Sequence, residues 1–245
     1  MKVRIFILVV LLLAAAGING CGKLPTKETD AEPTTAVTVG DSSLSNIFSD
    51  AVANHGDKSG FLLLRDGTRA ITERLHLADT AQLSIDAQYY IWNSDKTGKL
   101  LMQKLLEAAE RGVAVRLLLD DFSVGDRNDQ LLTINSHPNI EVRINNPFMV
   151  RSGIGKWLNF AADFDRLNRR SHNKTFTVDQ TVAITGGRNI GDEYFDQNEH
   201  LNFNDADLLS VGPVVGQVVE SFSEYWHSPW AVPIDQLLEQ ENEEP

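Results

Sequence analysis

A single cysteine in 245 residues, Cys21, can close no internal disulfide and build no thiolate zinc site, so packing has to hold the fold and redox and zinc-finger roles are excluded. Basic residues are also scarce. Twenty-two Lys and Arg stand against 34 Asp and Glu, and the net charge of −12 argues against a protein that grips nucleic acid by broad phosphate neutralisation. Any site for a polyanion must be local. No uninterrupted apolar run reaches the ~20 residues a membrane-spanning helix needs; the run Ile5 to Ala16 stops short of it. What is present is an ordinary globular composition, 42% hydrophobic and 23% charged, enough to bury a core.

The amino terminus has its own logic. Lys2 and Arg4 precede the apolar run, and Gly17, Ile18, Asn19 and Gly20 lead to Cys21, so residues 1–20 read as a signal peptide and the mature chain as exported. A cysteine directly after a small residue is similar to the lipobox of bacterial lipoproteins. That resemblance implies acylation of Cys21 and a membrane anchor in the cell envelope, with Gly22 in place of aspartate pointing to the outer membrane. Residues 21–43 are Thr, Glu, Asp, Pro and Ala with few large apolar side chains and read as a tether. The folded domain is expected over 44–235, with an acidic, frayed tail over 236–245.

Within the domain, strand and helix patterns alternate. Ser84 to Trp92 has strand composition, Thr97 to Arg111 carries Leu100, Leu101, Leu105, Ala108 and Ala109 at helical spacing, and Gly112 ends that helix. Val113 to Leu119 is an apolar run buried on both faces, and Ile140 to Ile144 follows after a short helix. Lys174 to Val178 and Thr181 to Thr185 flank an Asp179-Gln180 turn; Asp207 to Val211 is a strand and Pro213 to Trp226 a helix. The expectation is an α/β fold with a mixed, largely parallel sheet and helices on both faces, its functional groups at the strands' carboxyl ends. Asp120, Asp121 and Asp126 fit helix caps better than a cation site. Trp157, Leu158, Phe160, Ala161 and Phe164 recur at helical spacing, as a core-packed face or an acyl-chain contact.

The chemistry-bearing stretch is His172-Asn173-Lys174, then Asp179, then Gly186-Gly187-Arg188-Asn189. Positions 172 and 174 of a strand share a side, so an imidazole and an ammonium can act on one phosphate: the ring attacks phosphorus while the cation neutralises non-bridging oxygens. Gly186 and Gly187 permit close backbone approach to a phosphate and Asn189 adds an amide donor, whereas Asp179 at a strand end is placed to fix the turn. Arg151, Lys156, Arg166, Arg169, Arg170, Lys174 and Arg188 make a local basic cluster in an acidic chain.

This spacing resembles the HxKxxxxD motif and trailing G-G-x-N of the phospholipase D superfamily, and the surrounding segments SGFLLLRDG, QYYIWNSDKTG and DADLLSVGPVV are similar to the amino-terminal half of bacterial cardiolipin synthase C-type proteins. The resemblance implies a phosphohistidine at His172, Lys174 and Asn189 holding the oxygens, Asp179 as the motif carboxylate, and Asp205, with Asp207 second, orienting the nucleophilic ring. It implies no metal and no cofactor. The implied partners are an anionic phospholipid of the phosphatidylglycerol or cardiolipin type, a membrane surface, and a second HxK-bearing half or homodimer partner. The second partner matters because family members carry two motifs, the second histidine serving as general acid. His55, His76, His137, His200 and His227 offer no further HxK. The function expected is phosphatidyl transfer from half of a two-motif site; a phospholipase D-type hydrolase, a one-motif homodimeric nuclease and an inactive half stand as alternatives.

Overall fold

A computed structural model describes residues 40–56, 58–125, 127–148, 164–168 and 170–243. The signal peptide, Cys21, most of the tether, Asp126, the apolar residues from Trp157 to Ala161, the cations Arg151, Lys156 and Arg169, and the side chain of Arg166 lie outside the described residues.

Helix α1 (Ser43–His55) is started by a capping box in which Ser42 and Ser45 exchange side-chain bonds with each other's backbone, so this helix starts at the end of the expected tether. Strand β1 (Gly60–Leu64) follows, then α2 (Gly67–Thr80), capped by Asp66, β2 (Ser84–Tyr89) and α3 (Lys96–Glu110), capped by Asp95. Gly112 ends α3 at φ +96°, a conformation open to glycine at little cost. Next come β3 (Ala114–Asp120), the short helices α4 (Asp121–Val124) and α5 (Asn128–Asn135), β4 (Ile140–Asn145) and α6 (Phe164–Leu167). The chain then makes β5 (Thr175–Val178), β6 (Val182–Gly186), β7 (Asp207–Val211), α7 (Pro213–Trp226), β8 (Ala231–Pro233) and α8 (Ile234–Glu243).

The eight strands form one sheet in the order β1-β7-β6-β5-β2-β3-β4-β8. It is mixed, as the alternating pattern requires, but it is not largely parallel: only β2 with β3 and β3 with β4 run parallel, and the other five pairings are antiparallel. The reason is connection length. A parallel neighbour needs a crossover, which only α3 and the α4–α5 pair supply, whereas β5 and β6 are joined through Asp179 and Gln180, both left-handed, at φ +50° and +51°.

Helices cover both faces. Ile85, Ala87, Val115, Leu117, Val142 and Ile144 alternate onto the face packed by α2 and α3, and form the main core. The alternate residues of the same strands are mostly polar, with Leu118 packed against Phe222 and Trp226. Arg116 donates two 2.7 Å bonds to the Asp86 carboxylate, Arg143 pairs with Glu141 at 2.7 Å, and α7 closes over them with Phe222 and Trp226. Val215, Phe222 and Trp226 of α7 are buried, while Val218 and Val219 are only half-buried. The expected acidic tail is also corrected, because α8 runs to Glu243: Ile234, Leu237 and Leu238 recur at helical spacing and are buried in the main core.

Asp86→Ala leaves the Arg116 guanidinium buried without its counter-ion, at an expected cost of about 3–5 kcal/mol. Urea denaturation should show it, with Asp86→Leu/Arg116→Leu recovering most of the loss.

Candidate active site

The carboxyl ends of β2, β3 and β4 point to one edge of the sheet. Because β5 runs antiparallel to β2 and β7 antiparallel to β6, the residues entering β5, leaving β6 and entering β7 arrive at that same edge. The site is therefore assembled from His172 and Lys174 before β5, Tyr90 after β2, Asn189 after β6 and Asp205 before β7.

His172 is exposed and its ring rests on that of Tyr90, centroids 4.3 Å apart. Lys174 is 8% exposed; its ammonium donates to the His172 carbonyl at 2.7 Å and lies 5.8 Å from the Tyr90 ring centroid. Burial pushes the Lys174 pKa down and the nearby Asp205 carboxylate opposes that shift. Among the described residues no hydrogen bond fixes either nitrogen of the His172 ring. Asp205 instead accepts the N–H of Ala206 at 3.2 Å and stands against Gly187.

Asn189 is buried. Its carbonyl oxygen accepts the Ile91 N–H at 3.0 Å and its amide donates to the Tyr194 hydroxyl at 3.1 Å, so it fastens the segment after β2 to the segment after β6. The glycine pair has a different duty from the phosphate cradle expected of it: the Gly186 N–H donates to Lys174 and the Gly187 N–H to Ala206. What the missing side chains allow is the approach of β7, since a Cβ on Gly186 would stand 2.1 Å from Asp207 Oδ1 and one on Gly187 1.9 Å from Asp205 Oδ1. Asp179 lies at the opposite end of β5 from His172, beyond a four-residue strand that is itself ~13 Å long at ~3.3 Å per residue. There its carboxylate accepts the N–H groups of Gln82, Leu83 and Ser84, anchoring the start of β2.

The expected basic cluster is mostly structural where it is described. Arg188, 2% exposed, donates to the carbonyls of Leu64, Arg65 and Tyr194 and borders Asp207. Arg170 pairs with Asp120 at 2.5 Å. Asp120 also caps α4 through the Phe122 N–H, as its position after a buried strand implied. Two tyrosines, Tyr90 and Tyr194, lie at the site although the motif does not announce them; the hint for Tyr90 was its place near the carboxyl end of a strand that faces the functional edge.

The family model "Cardiolipin synthase, PLD-like domain" matches residues 75–226. Cardiolipin synthase C of Escherichia coli is 46% identical over 187 residues, covering 76% of this chain and 39% of that protein. The chain belongs to the cardiolipin synthase group of phospholipase D-like proteins. Cardiolipin synthase 1 of Bacillus cereus is 29% identical over 69% of the chain and 32% of its own length. Two solved structures share the fold: phosphatidylserine synthase of Haemophilus influenzae, with TM-score 0.55, 15% identity and coverage of 71% and 39%, and NucT from Helicobacter pylori, with TM-score 0.52, 14% identity and coverage of 72% and 98%. This phospholipase D-like chain spans 39–45% of the length of the first curated relatives it matches.

The Asp120 carboxyl gives a pH signature. Burial outweighs Arg170 and pushes its pKa up from 3.8 to about 6. Between those values the folded protein keeps a proton the unfolded chain has released, so this group's contribution to stability is full below the lower value and is lost as pH rises through the upper one. Relative to Asp120→Asn, the wild type should lose on the order of 3 kcal/mol between pH 4 and pH 7, read from denaturation curves at each pH.

Proposed function

We propose that the chain carries one half of a phosphatidyl-transfer site in which His172 is the nucleophile. The observation that carries this is the pairing of an exposed imidazole with a buried ammonium on the strand-end edge, in a chain 46% identical to cardiolipin synthase C over 187 residues. A His172 ring nitrogen attacks the phosphorus of an anionic glycerophospholipid, the bond to the headgroup oxygen breaks, and the phosphatidyl group rests on the ring. An acceptor hydroxyl then attacks phosphorus, gives its proton to the group that supplied the acid in the first step, and frees the histidine. Lys174 neutralises the non-bridging oxygens in both steps, and splitting one displacement in two lowers each barrier. Acylation of Cys21 would keep the domain at a lipid surface.

The leaving alkoxide needs a proton in the first step, and among the described residues none of the other histidines stands against Tyr90 or Lys174. His55, His137 and His227 bond backbone groups close to them in sequence. We therefore assign the acid to a second HxK-bearing unit, either a further polypeptide segment or another copy of this chain. The homodimer is a real alternative because the fold occurs as a chain of this size: NucT is matched over 98% of its length. Water resolving the same intermediate turns the transferase into a phospholipase D-type hydrolase; the net charge of −12 disfavours a nucleic-acid substrate.

His172→Ala should abolish turnover of labelled phosphatidylglycerol while leaving the unfolding transition in place, and Lys174→Ala should lower the rate by about 10²–10³. A His172→Ala protein that retains most of the wild-type rate overturns the phosphohistidine step. Adding glycerol to the same assay separates transfer from hydrolysis by the product formed.

If two copies complete the site, specific activity per chain should fall on dilution below the dimer's dissociation constant, because acid and nucleophile then separate. Light scattering on the same samples supplies the mass. An active preparation that is monomeric throughout overturns the two-unit site.

A further inference from the structure

The exposed His172 ring leans on Tyr90, with centroids 4.3 Å apart and planes tilted by 46°. Among the described residues neither of its nitrogens makes a hydrogen bond. The Tyr90 ring is held in turn, stacked on Phe122 at 6.3 Å with the planes 9° apart. The Lys174 ammonium stands 5.8 Å from the same Tyr90 centroid. Burial, and after it the Asp120 carboxylate, pushes the Tyr90 pKa up, so the side chain keeps its phenol proton and offers His172 a neutral π system rather than a phenolate.

Attack changes the charge of an imidazole. A neutral ring with its hydrogen on the far nitrogen gives the lone pair of the near nitrogen to phosphorus. The bond from phosphorus to the leaving oxygen breaks with its electron pair, and the ring carries one positive charge until the far N–H releases its proton. That charge is absent before the reaction, so a group that attracts a cation there favours the transition state over the ground state. Lys174 is not that group: its ammonium, which donates to the His172 carbonyl at 2.7 Å, has the same sign. An aromatic ring attracts a cation lying within ~6 Å of its centroid through its quadrupole, and Tyr90 is in place to do so. We propose that the Tyr90 ring stabilises the positive charge that the His172 ring acquires when it attacks phosphorus. The assignment deepens the phosphatidyl-transfer reading and takes the nucleophile from it.

The test needs neither phospholipid turnover nor a general acid. Phosphoramidate phosphorylates histidine rings from solution: the ring nitrogen bonds to phosphorus, the P–N bond breaks, and ammonia leaves without needing a proton because its nitrogen already carries three. The full chain is treated with this reagent, and mass spectrometry of its peptides reads the rate of phosphorylation at His172 relative to the exposed His76 and His200. Mono-, di- and trifluorinated phenylalanine at position 90 keep the shape of the ring while draining negative potential from its face. From Tyr90→Phe through that series the relative rate at His172 should fall stepwise, to about a fifth with the trifluorinated ring, and Tyr90→Leu should lose about as much. A flat or rising series overturns the proposal even where Tyr90→Leu is slow, because a merely steric platform survives fluorination. A wild-type His172 left unphosphorylated while His76 and His200 react overturns it as well. A stepwise series in a chain that turns over no phospholipid fails the transferase reading and keeps the role of Tyr90; phospholipid turnover with a flat series does the reverse.

Discussion

Everything at the functional edge rests on one buried carboxylate. Asp207, the first residue of β7, accepts from Arg74 Nη2 at 3.0 Å and from the Arg188 N–H at 3.2 Å, with Arg188 Nη1 at 3.6 Å. All three side chains are almost wholly inaccessible. Arg74 extends the connection to the Tyr89 hydroxyl at the end of β2 and the Ala70 carbonyl of α2; Arg188 extends it to the end of β1 and to Tyr194. Two cations around one anion, each with its remaining donors on carbonyls or a hydroxyl, is the arrangement in which buried charge is tolerable. The consequence is that β1, β2, β6, β7 and α2 end at fixed positions relative to one another, directly under the site. Gly186 belongs to the same constraint, since any side chain there would displace Asp207.

Local chemistry was what the sequence made legible. The residues His172, Lys174 and Asn189 of the spaced motif do meet at one edge of the sheet, the helix capped by Asp95 and ended at Gly112 falls within a residue or two of expectation, and the Asp179-Gln180 turn appears as read. Contacts between residues distant in the chain were not legible. Nothing in RDGTRAITER marks Arg74 as the partner of Asp207, and nothing in QYYIW separates Tyr89, buried against Arg74, from Tyr90, which carries the histidine. The excess of parallel strands came from extending the β2-α3-β3-β4 pattern across the sheet, although the short connections of β5 and β6 already forbade it. β1 and β8 were missed because one is an apolar run without alternation and the other has only three residues.

The motif's residues also divide by job in a way their shared spacing conceals. Asp179 and the glycines shape the sheet, Asn189 joins two loops, and Arg188 is spent on carbonyls, which leaves His172 and Lys174 as the pair to which the proposed reading assigns the phosphodiester. A positive field built this way is narrow. On the proposed reading it would serve one phosphodiester at the edge of a protein whose net charge is −12.

A rigid floor beneath a loosely held nucleophile has a chemical implication. Lys174 is fixed by its bond to the His172 carbonyl and the Tyr90 ring meets both Phe122 and His172, but among the described residues the His172 ring has its Tyr90 contact and no hydrogen bond. An imidazole attacks efficiently when its other nitrogen is held, because the hydrogen bond there sets the tautomer and the direction of the lone pair. Asp205 is close enough to Lys174 to act on its ammonium, so the carboxylate best placed to hold the ring is at the site but engaged with Ala206. Bringing phosphate onto Lys174 removes the charge that attracts Asp205 there. On the proposed reading Asp205 then becomes available to accept from the ring's second nitrogen, so that substrate binding would complete the orientation of His172.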